Sequence, residues 1–301
     1  MIGSFSTHLP LLVVLAFGLT ILKSEELPQA LPEEVGLSSK KLKKVDQVIQ
    51  NYIDKKQLAG AVTIIARKGK VIHFSAHGMR DLSKVRPMEE DSIFRIYSMT
   101  KAVVSVAAMV LVEQGKLKLD VPASSYIPSL GKMKFNGKLP KREMTLRDLL
   151  SHSSGLPNNV TTDRALRQAG HPSLAESSLE EMMNNLESVP LRYEPGKGWY
   201  YSFAADVVGR LVEIGSGGLP LDKALKKLIF EPLNMKDTGF YVPKEKWHRF
   251  VTPYGNGLKE ITAPQPGTSG PFTFEKPPKF LSGGGGLVST ASDYMRFCLM
   301  L

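Results

Sequence analysis

Four residues carry the strongest chemical signal in the chain: Ser98-Met99-Thr100-Lys101, a serine and a lysine three positions apart. On a helix, positions i and i+3 share a face, so the Lys101 amine can reach the Ser98 hydroxyl. A lysine beside apolar helix surface is partly desolvated, which favours the neutral amine and lets it act as a base. A helix amino terminus adds partial positive charge and free N–H groups, which favour an alkoxide and a developing oxyanion. Nucleophile, base and electrophilic field can thus come from one short segment. The competing reading is structural: an N-cap serine followed by a lysine whose stem lies along the helix.

The residues around this segment must place it. Ile96 to Gln114 reads as a helix entry followed by a long helix, apolar nearly all round from Ala102 to Val112 and expected to be buried, with Gly115 as its stop. Ser38 or Ser39 caps an expected helix to about Ile53, with Leu42, Val45, Val48, Ile49, Tyr52 and Ile53 on one face. Ala61–Ala66 and Val71–Ala76, separated by Lys68-Gly69, predict a β-hairpin in a central sheet. Thr145-x-x-Asp148 is a capping-box signature. Short helices and loops are expected from 120 to 200, then a helix over Ala204–Ile214. A long turn-rich loop covers 253–282. Gly283–Gly286 leads into a short strand at Leu287–Ser289, and Thr290-x-x-Asp293 opens a last helix. Together these predict an α+β, three-layer arrangement with a helical insert.

Composition bounds the rest. With 301 residues, 42% hydrophobic and 23% charged, the chain carries enough apolar content for one folded globule, or one large domain with a smaller subdomain, which excludes a disordered protein. Cys298 is the single cysteine, so no internal disulfide can form, and the six histidines lack metal-ligand spacing; no metal or organic cofactor is expected. The excess of 39 Lys+Arg over 29 Asp+Glu gives +10, but the basic residues come in short bursts without a nucleic-acid module. They read as solvated faces; no nucleic-acid partner is expected, and attraction to an anionic cell-envelope surface is compatible with the charge. Leu9–Leu22 is apolar for 14 residues, short of a bilayer span and suited to a signal peptide, with an uncleaved anchor or a buried helix as alternatives. The expected division is therefore a signal peptide or anchor over 1–24 and one domain over 25–301, exported to the envelope or beyond.

Four blocks occur in order: FRIYSMTKAVVSVAAMVLVEQGKLKLD (94–120), LRDLLSHSSGLP (146–157), YEPGKGWYYSFAADVVGRLVE (193–213) and GGGGLVSTASDYMRF (283–297). With these the chain resembles the β-lactamase-related serine hydrolases, which include class C β-lactamases, penicillin-binding D,D-peptidases and family VIII carboxylesterases, from about Leu37 to Leu301. The resemblance implies a β-lactamase/transpeptidase-like fold, an antiparallel sheet flanked by helices plus a helical subdomain. It also implies Ser98 as nucleophile, Lys101 as its base and Tyr201 as the phenolic proton shuttle, with Tyr200 as the neighbouring alternative. Tyr201-Ser202-Phe203 stands where β-lactamases carry Y-x-N, and phenylalanine cannot replace that amide. This favours the esterase branch and a small-molecule ester over an amide as substrate.

The family's third motif, on a strand after the last block and supplying a second oxyanion donor, is expected beyond Leu301. On this reading the chain is a fragment of a longer product or a degenerate copy lacking the closing strands. Losing one such donor costs about 2.7–4 kcal/mol in the transition state. Three functions therefore stand: an acyl-Ser98 esterase, a β-lactamase or D,D-peptidase, and a non-catalytic binding protein built on this fold. His152 in SHSSGL is expected to be scaffold rather than the base of a Ser-His-Asp triad, since no G-x-S-x-G is present. Asp206 is expected to cap or pack a helix.

Overall fold

A computed structural model describes residues 26–261 and 274–301. The apolar Leu9–Leu22 stretch and the 262–273 part of the long loop lie outside these residues. A short 3-10 turn at Pro32–Val35 leads into helix α1, Ser39–Asp54, whose N-cap Ser38 accepts a hydrogen bond from the Lys41 N–H at 3.3 Å. Leu42, Val45, Ile49 and Ile53 are half-buried, whereas Val48 and Tyr52 are exposed, so the expected apolar face is narrower than its sequence pattern. The 3-4-4 spacing of the four packed residues follows the helix period, and the other two flank that line.

Strand β1, Gly60–Arg67, pairs antiparallel with β2, Lys70–Asp81, through a tight turn at Lys68 and Gly69, both at positive φ. The two-residue connection with left-handed backbone matches the twist of a hairpin. A two-residue strand β3, Arg86–Pro87, extends the order to β1-β2-β3. Helix α1 packs on β2, where Asp46 receives the His77 ring at 2.9 Å.

Strand β4, Phe94–Arg95, is followed by a 3-10 turn at Tyr97–Met99 and by α2, Thr100–Glu113. The structure corrects the expectation of a helix buried all round. Val103, Val104, Ala107, Ala108 and Leu111 are buried, but Met109 is exposed, so α2 presents one face to the core. Helix α3, Leu146–Leu150, starts with the complete Thr145/Asp148 capping box. It is followed by α4, Asn159–Gln168, and α5, Leu179–Asn184. Helix α6, Ala204–Gly215, packs against α2, α3, α5 and α7, Leu221–Leu225. Its Val207, Val208, Leu211 and Val212 are buried with the α2 residues in one continuous core. Burying a leucine there contributes roughly 1.5–3 kcal/mol.

The last elements are β5, Val288–Ser289, antiparallel to β4, and α8, Ala291–Met300, which packs on β1. Thr290 caps α8 by accepting from the Asp293 N–H at 3.1 Å. The architecture is α+β, with small antiparallel sheets and a helical body. The β4–β5 pairing lays the turn after β4 beside the glycines before β5.

Candidate active site

Ser98 lies in the turn between β4 and α2. The turn is fixed from both sides: the Ile96 N–H donates to Leu287 O at 3.1 Å, and the Leu287 N–H donates to the buried Thr100 hydroxyl at 3.1 Å. Tyr97, immediately before the serine, is held at φ +40. Such a conformation is costly for a bulky residue and persists only where its surroundings over-determine it. The turn leaves Ser98 exposed and points Lys101, in the first turn of α2, back across it.

Three side chains meet there. Lys101 Nζ stands 3.3 Å from Ser98 Oγ, and the Tyr201 hydroxyl donates to the same oxygen at 2.6 Å. Lys101 Nζ also lies 4.6 Å from the centroid of the Tyr201 ring, within cation–π range. It donates at 2.5 Å to the carbonyl of Gly284, the second residue of the glycine run. The structure thus brings together Ser98, Lys101 and Tyr201 from the start of α2 and from the segment before α6. Tyr201 is exposed rather than a core residue. Tyr200 faces elsewhere: its hydroxyl accepts from Asn158 Nδ2 at 3.0 Å and Arg192 lies over its ring.

Phe203 is buried at 1% exposure and its N–H donates to Pro157 O at 3.1 Å, so its ring belongs to the core. The position that would carry an amide in a β-lactamase is therefore apolar and turned inward.

His152 supports the tyrosine. Its ring centroid is 4.9 Å from that of Tyr201, tilted by 37°. Its Nδ1 accepts from the Ser202 N–H at 3.3 Å, and its carbonyl accepts from the Tyr193 hydroxyl and the Tyr200 N–H. Burial first, and the Lys101 charge second, push its pKa below the ordinary imidazole value. A neutral ring with an accepting Nδ1 fits these partners. Among the described residues it makes no hydrogen bond to Ser98, so its geometry is that of a platform, not of a triad base. The loop presenting it is fastened by Asp148, which accepts from Nη1 and Nη2 of Arg142 at 2.6 and 2.9 Å. Burial opposes its ionisation, but the Arg142 guanidinium and the Thr145 donors hold its carboxyl below the usual carboxylate range.

Two contributors were not assigned from sequence. One is the Gly284 carbonyl. The other is Asp206, expected to cap or pack a helix: it is packed, fully buried, and accepts from Ser282 Oγ at 2.7 Å, Gly284 N at 3.0 Å and Asn159 Nδ2 at 3.1 Å. The signal was present in the run of four glycines. A Cβ at Gly283 would lie 2.4 Å from the Ala205 carbonyl oxygen, and one at Gly284 would lie 3.0 Å from Asp206 Oδ2. Glycine is required for that approach to α6. Among the described residues no cluster of His, Cys, Asp and Glu could hold a metal ion.

A cavity of about 750 Å³ lies under Asp237–Val242 and Lys246, and none of the three meeting residues lines it. A smaller one of about 250 Å³ is lined by Tyr97 and Arg95, and none of the three residues lines it either.

Comparison with known proteins gives the chain's relatives. The chain is 35% identical over 272 residues to esterase EstB of Burkholderia gladioli, covering 84% of this chain and 68% of that protein. It is 31% identical over 210 residues to lovastatin esterase of Penicillium rubens, covering 65% of this chain and 52% of that one. Among solved structures, EstCE1, described as a hydrolase with promiscuous acyltransferase activity, superposes with a TM-score of 0.74 at 29% identity, over 85% of this chain and 70% of its own. A class C β-lactamase mutant shares the fold at a TM-score of 0.67 and 19% identity, over 86% of this chain and 64% of its own. The chain thus spans about half to two thirds of the length of such relatives. Residues 45–301 match the β-lactamase family, and the chain belongs to it.

Proposed function

We propose that this protein is a serine hydrolase that forms an acyl-Ser98 intermediate and acts on small carboxylic esters. The observation that carries the reading is the convergence of Lys101 Nζ and the Tyr201 hydroxyl on one exposed serine oxygen, at 3.3 and 2.6 Å. Both lie near enough to move a proton to or from it.

In the first half-reaction Lys101, as the neutral amine, takes the Ser98 proton while Oγ attacks the ester carbonyl. The Ser98 N–H, in the 3-10 turn that opens onto α2, can donate to the developing oxyanion. Tyr201 gives its proton to the departing alkoxide as the C–O bond breaks, and regains one from the Lys101 ammonium. Water then attacks the acyl carbonyl, a proton passes back through the same pair, and the carboxylic acid leaves with Ser98 restored. No step needs a metal or a redox cofactor.

Ester preference draws support from the two esterase relatives and from Phe203, which offers no polar group for an acylamino side chain. The experiment is hydrolysis of p-nitrophenyl acetate and butyrate beside nitrocefin, with Ser98→Ala and Lys101→Ala as controls. Loss of at least about 10³-fold in both variants is expected. Ester hydrolysis that survives Ser98→Ala, or none by the unaltered protein, overturns the reading; nitrocefin turnover at a comparable rate overturns the ester preference. We further propose export, supported by the apolar Leu9–Leu22 stretch. Sequencing the amino terminus of the protein recovered outside the cytosol tests it.

A further inference from the structure

Asp206 is a fully buried carboxylate beside the reacting groups, and none of the proton transfers assigned to Ser98, Lys101 and Tyr201 uses it. Its surroundings are unusual for a buried charge. Its three donors, Ser282 Oγ, Gly284 N–H and Asn159 Nδ2, are all neutral, and it forms no ion pair among the described residues. A carboxylate so placed keeps most of its field for whatever cation lies nearest, because no guanidinium or ammonium touches it. Lys101 is the cation whose charge acts on it.

The connection runs through a single peptide residue. Gly284 donates its N–H to Asp206 Oδ1 at 3.0 Å and accepts Lys101 Nζ on its carbonyl at 2.5 Å. The two hydrogen bonds belong to adjoining peptide groups and together fix the backbone of residue 284, and with it the direction of its carbonyl. The approach is also sterically set, since a Cβ at 284 would press on Asp206 Oδ2 at 3.0 Å.

We propose that Asp206 is a positioning residue for Lys101: acting through the Gly284 backbone, it aims the amine at Ser98 and stabilises the ammonium that forms when Lys101 takes the serine proton. This rests on the serine-hydrolase reading. The charged and titratable groups facing Lys101 are Tyr201, His152 and Asp206; Asp206 itself faces Lys101 and neutral donors. Removing the buried anion makes the base weaker and easier to deprotonate. The rate should fall, and the acid limb of the pH profile should move to lower pH. A residue that merely packs would lower the amount of folded protein and leave that limb in place.

The test is the pH profile of p-nitrophenyl butyrate hydrolysis by the intact protein and by Asp206→Asn, each normalised to active sites counted with a fluorophosphonate. Asn keeps an acceptor for the Gly284 N–H. The expected result is a loss of about 10–100-fold in kcat with little change in KM, and an acid limb lower by roughly one pH unit. Ser282→Ala removes one donor that holds the anion and should move the limb the same way by less. It decides the matter if Asp206→Asn does not fold. An acid limb unmoved in the folded variants overturns the proposal. Ser98→Ala is run alongside: its inactivity with an unmoved limb in Asp206→Asn removes this inference alone, whereas activity surviving in Ser98→Ala removes the hydrolase reading beneath it.

Discussion

Two carboxylates withdrawn from solvent in this protein are held in opposite ways. Asp237, ahead of the Lys244–Arg249 turn, is clasped by cations: Arg249 Nη2 lies 2.7 Å from one oxygen and Lys246 Nζ 2.7 Å from the other. Burial works against its ionisation, but the Arg249 and Lys246 hydrogen bonds hold its carboxyl below the ordinary range. Asp206 has neutral donors only, and burial pushes its carboxyl upward despite them. The first arrangement uses its charge locally and fastens a loop to the body. The second leaves its charge uncompensated by contact, and a base lies one residue away to receive it. Direct pairing fastens a loop, whereas the proposed role of Asp206 acts at one remove, through the Gly284 backbone.

Damage to the peptide link should erase this difference most visibly. Gly284→Ala should lower ester hydrolysis by about 10²-fold, since displacement of a positioned group by an ångström costs that much. The measurement is kcat on p-nitrophenyl butyrate with the melting temperature beside it; activity near that of the unaltered protein would mean that the glycine is dispensable. Tyr201→Phe keeps the ring over His152 and removes the hydroxyl from Ser98, so a loss of about 10²–10³-fold in kcat with unchanged stability is expected from the proton-transfer share alone.

On the other side, Asp237→Asn should cost stability and not chemistry. About 2–3 kcal/mol is expected, less than for a wholly buried pair because Lys246 is partly exposed. Urea unfolding measures it, and kcat per active site should stay within about twofold. The acid dependence sharpens the contrast. A carboxyl held low in the folded state adds stability that is present above the ordinary carboxylate value and is lost as pH falls through the folded one. Asp237 and Asp148 therefore make the protein acid-labile, and Asp237→Asn should flatten the fall in unfolding free energy below about pH 4. Asp206, raised, has the opposite sign: its ionisation costs stability at higher pH, and that cost disappears as pH drops below its folded value. The smallest effect belongs to Arg147→Ala. Its partner Asp120 is as exposed as itself, and the melting temperature should not move measurably.

Elements with a local cause were legible in the chain. Ser38 before α1, Lys68-Gly69 in the hairpin, and Thr145 and Thr290 before α3 and α8 each act within a few residues, so their spacing declares them. The spacing of Ser98 and Lys101 declares their shared face for the same reason, and the family resemblance supplied Tyr201. The exposure of Met109, Val48 and Tyr52 was not legible, because helix periodicity says which residues share a face but not how wide the neighbouring surface is. Asp206 and the Gly284 carbonyl were hidden for another reason. Their roles exist only once α6 and the glycine run touch, and a backbone carbonyl has no signature in the alphabet of side chains.

The hydrogen bond from Lys101 to Gly284 joins positions 183 apart in the chain. Contacts of such separation form late, after the loop they close has been paid for in entropy. A nascent chain would carry its serine, its lysine and even its tyrosine well before residues 282–287 leave the ribosome. Until then the amine has no carbonyl to aim it. The aiming of Lys101 is therefore withheld during synthesis by chain order alone, and it arrives with the strand that closes against β4.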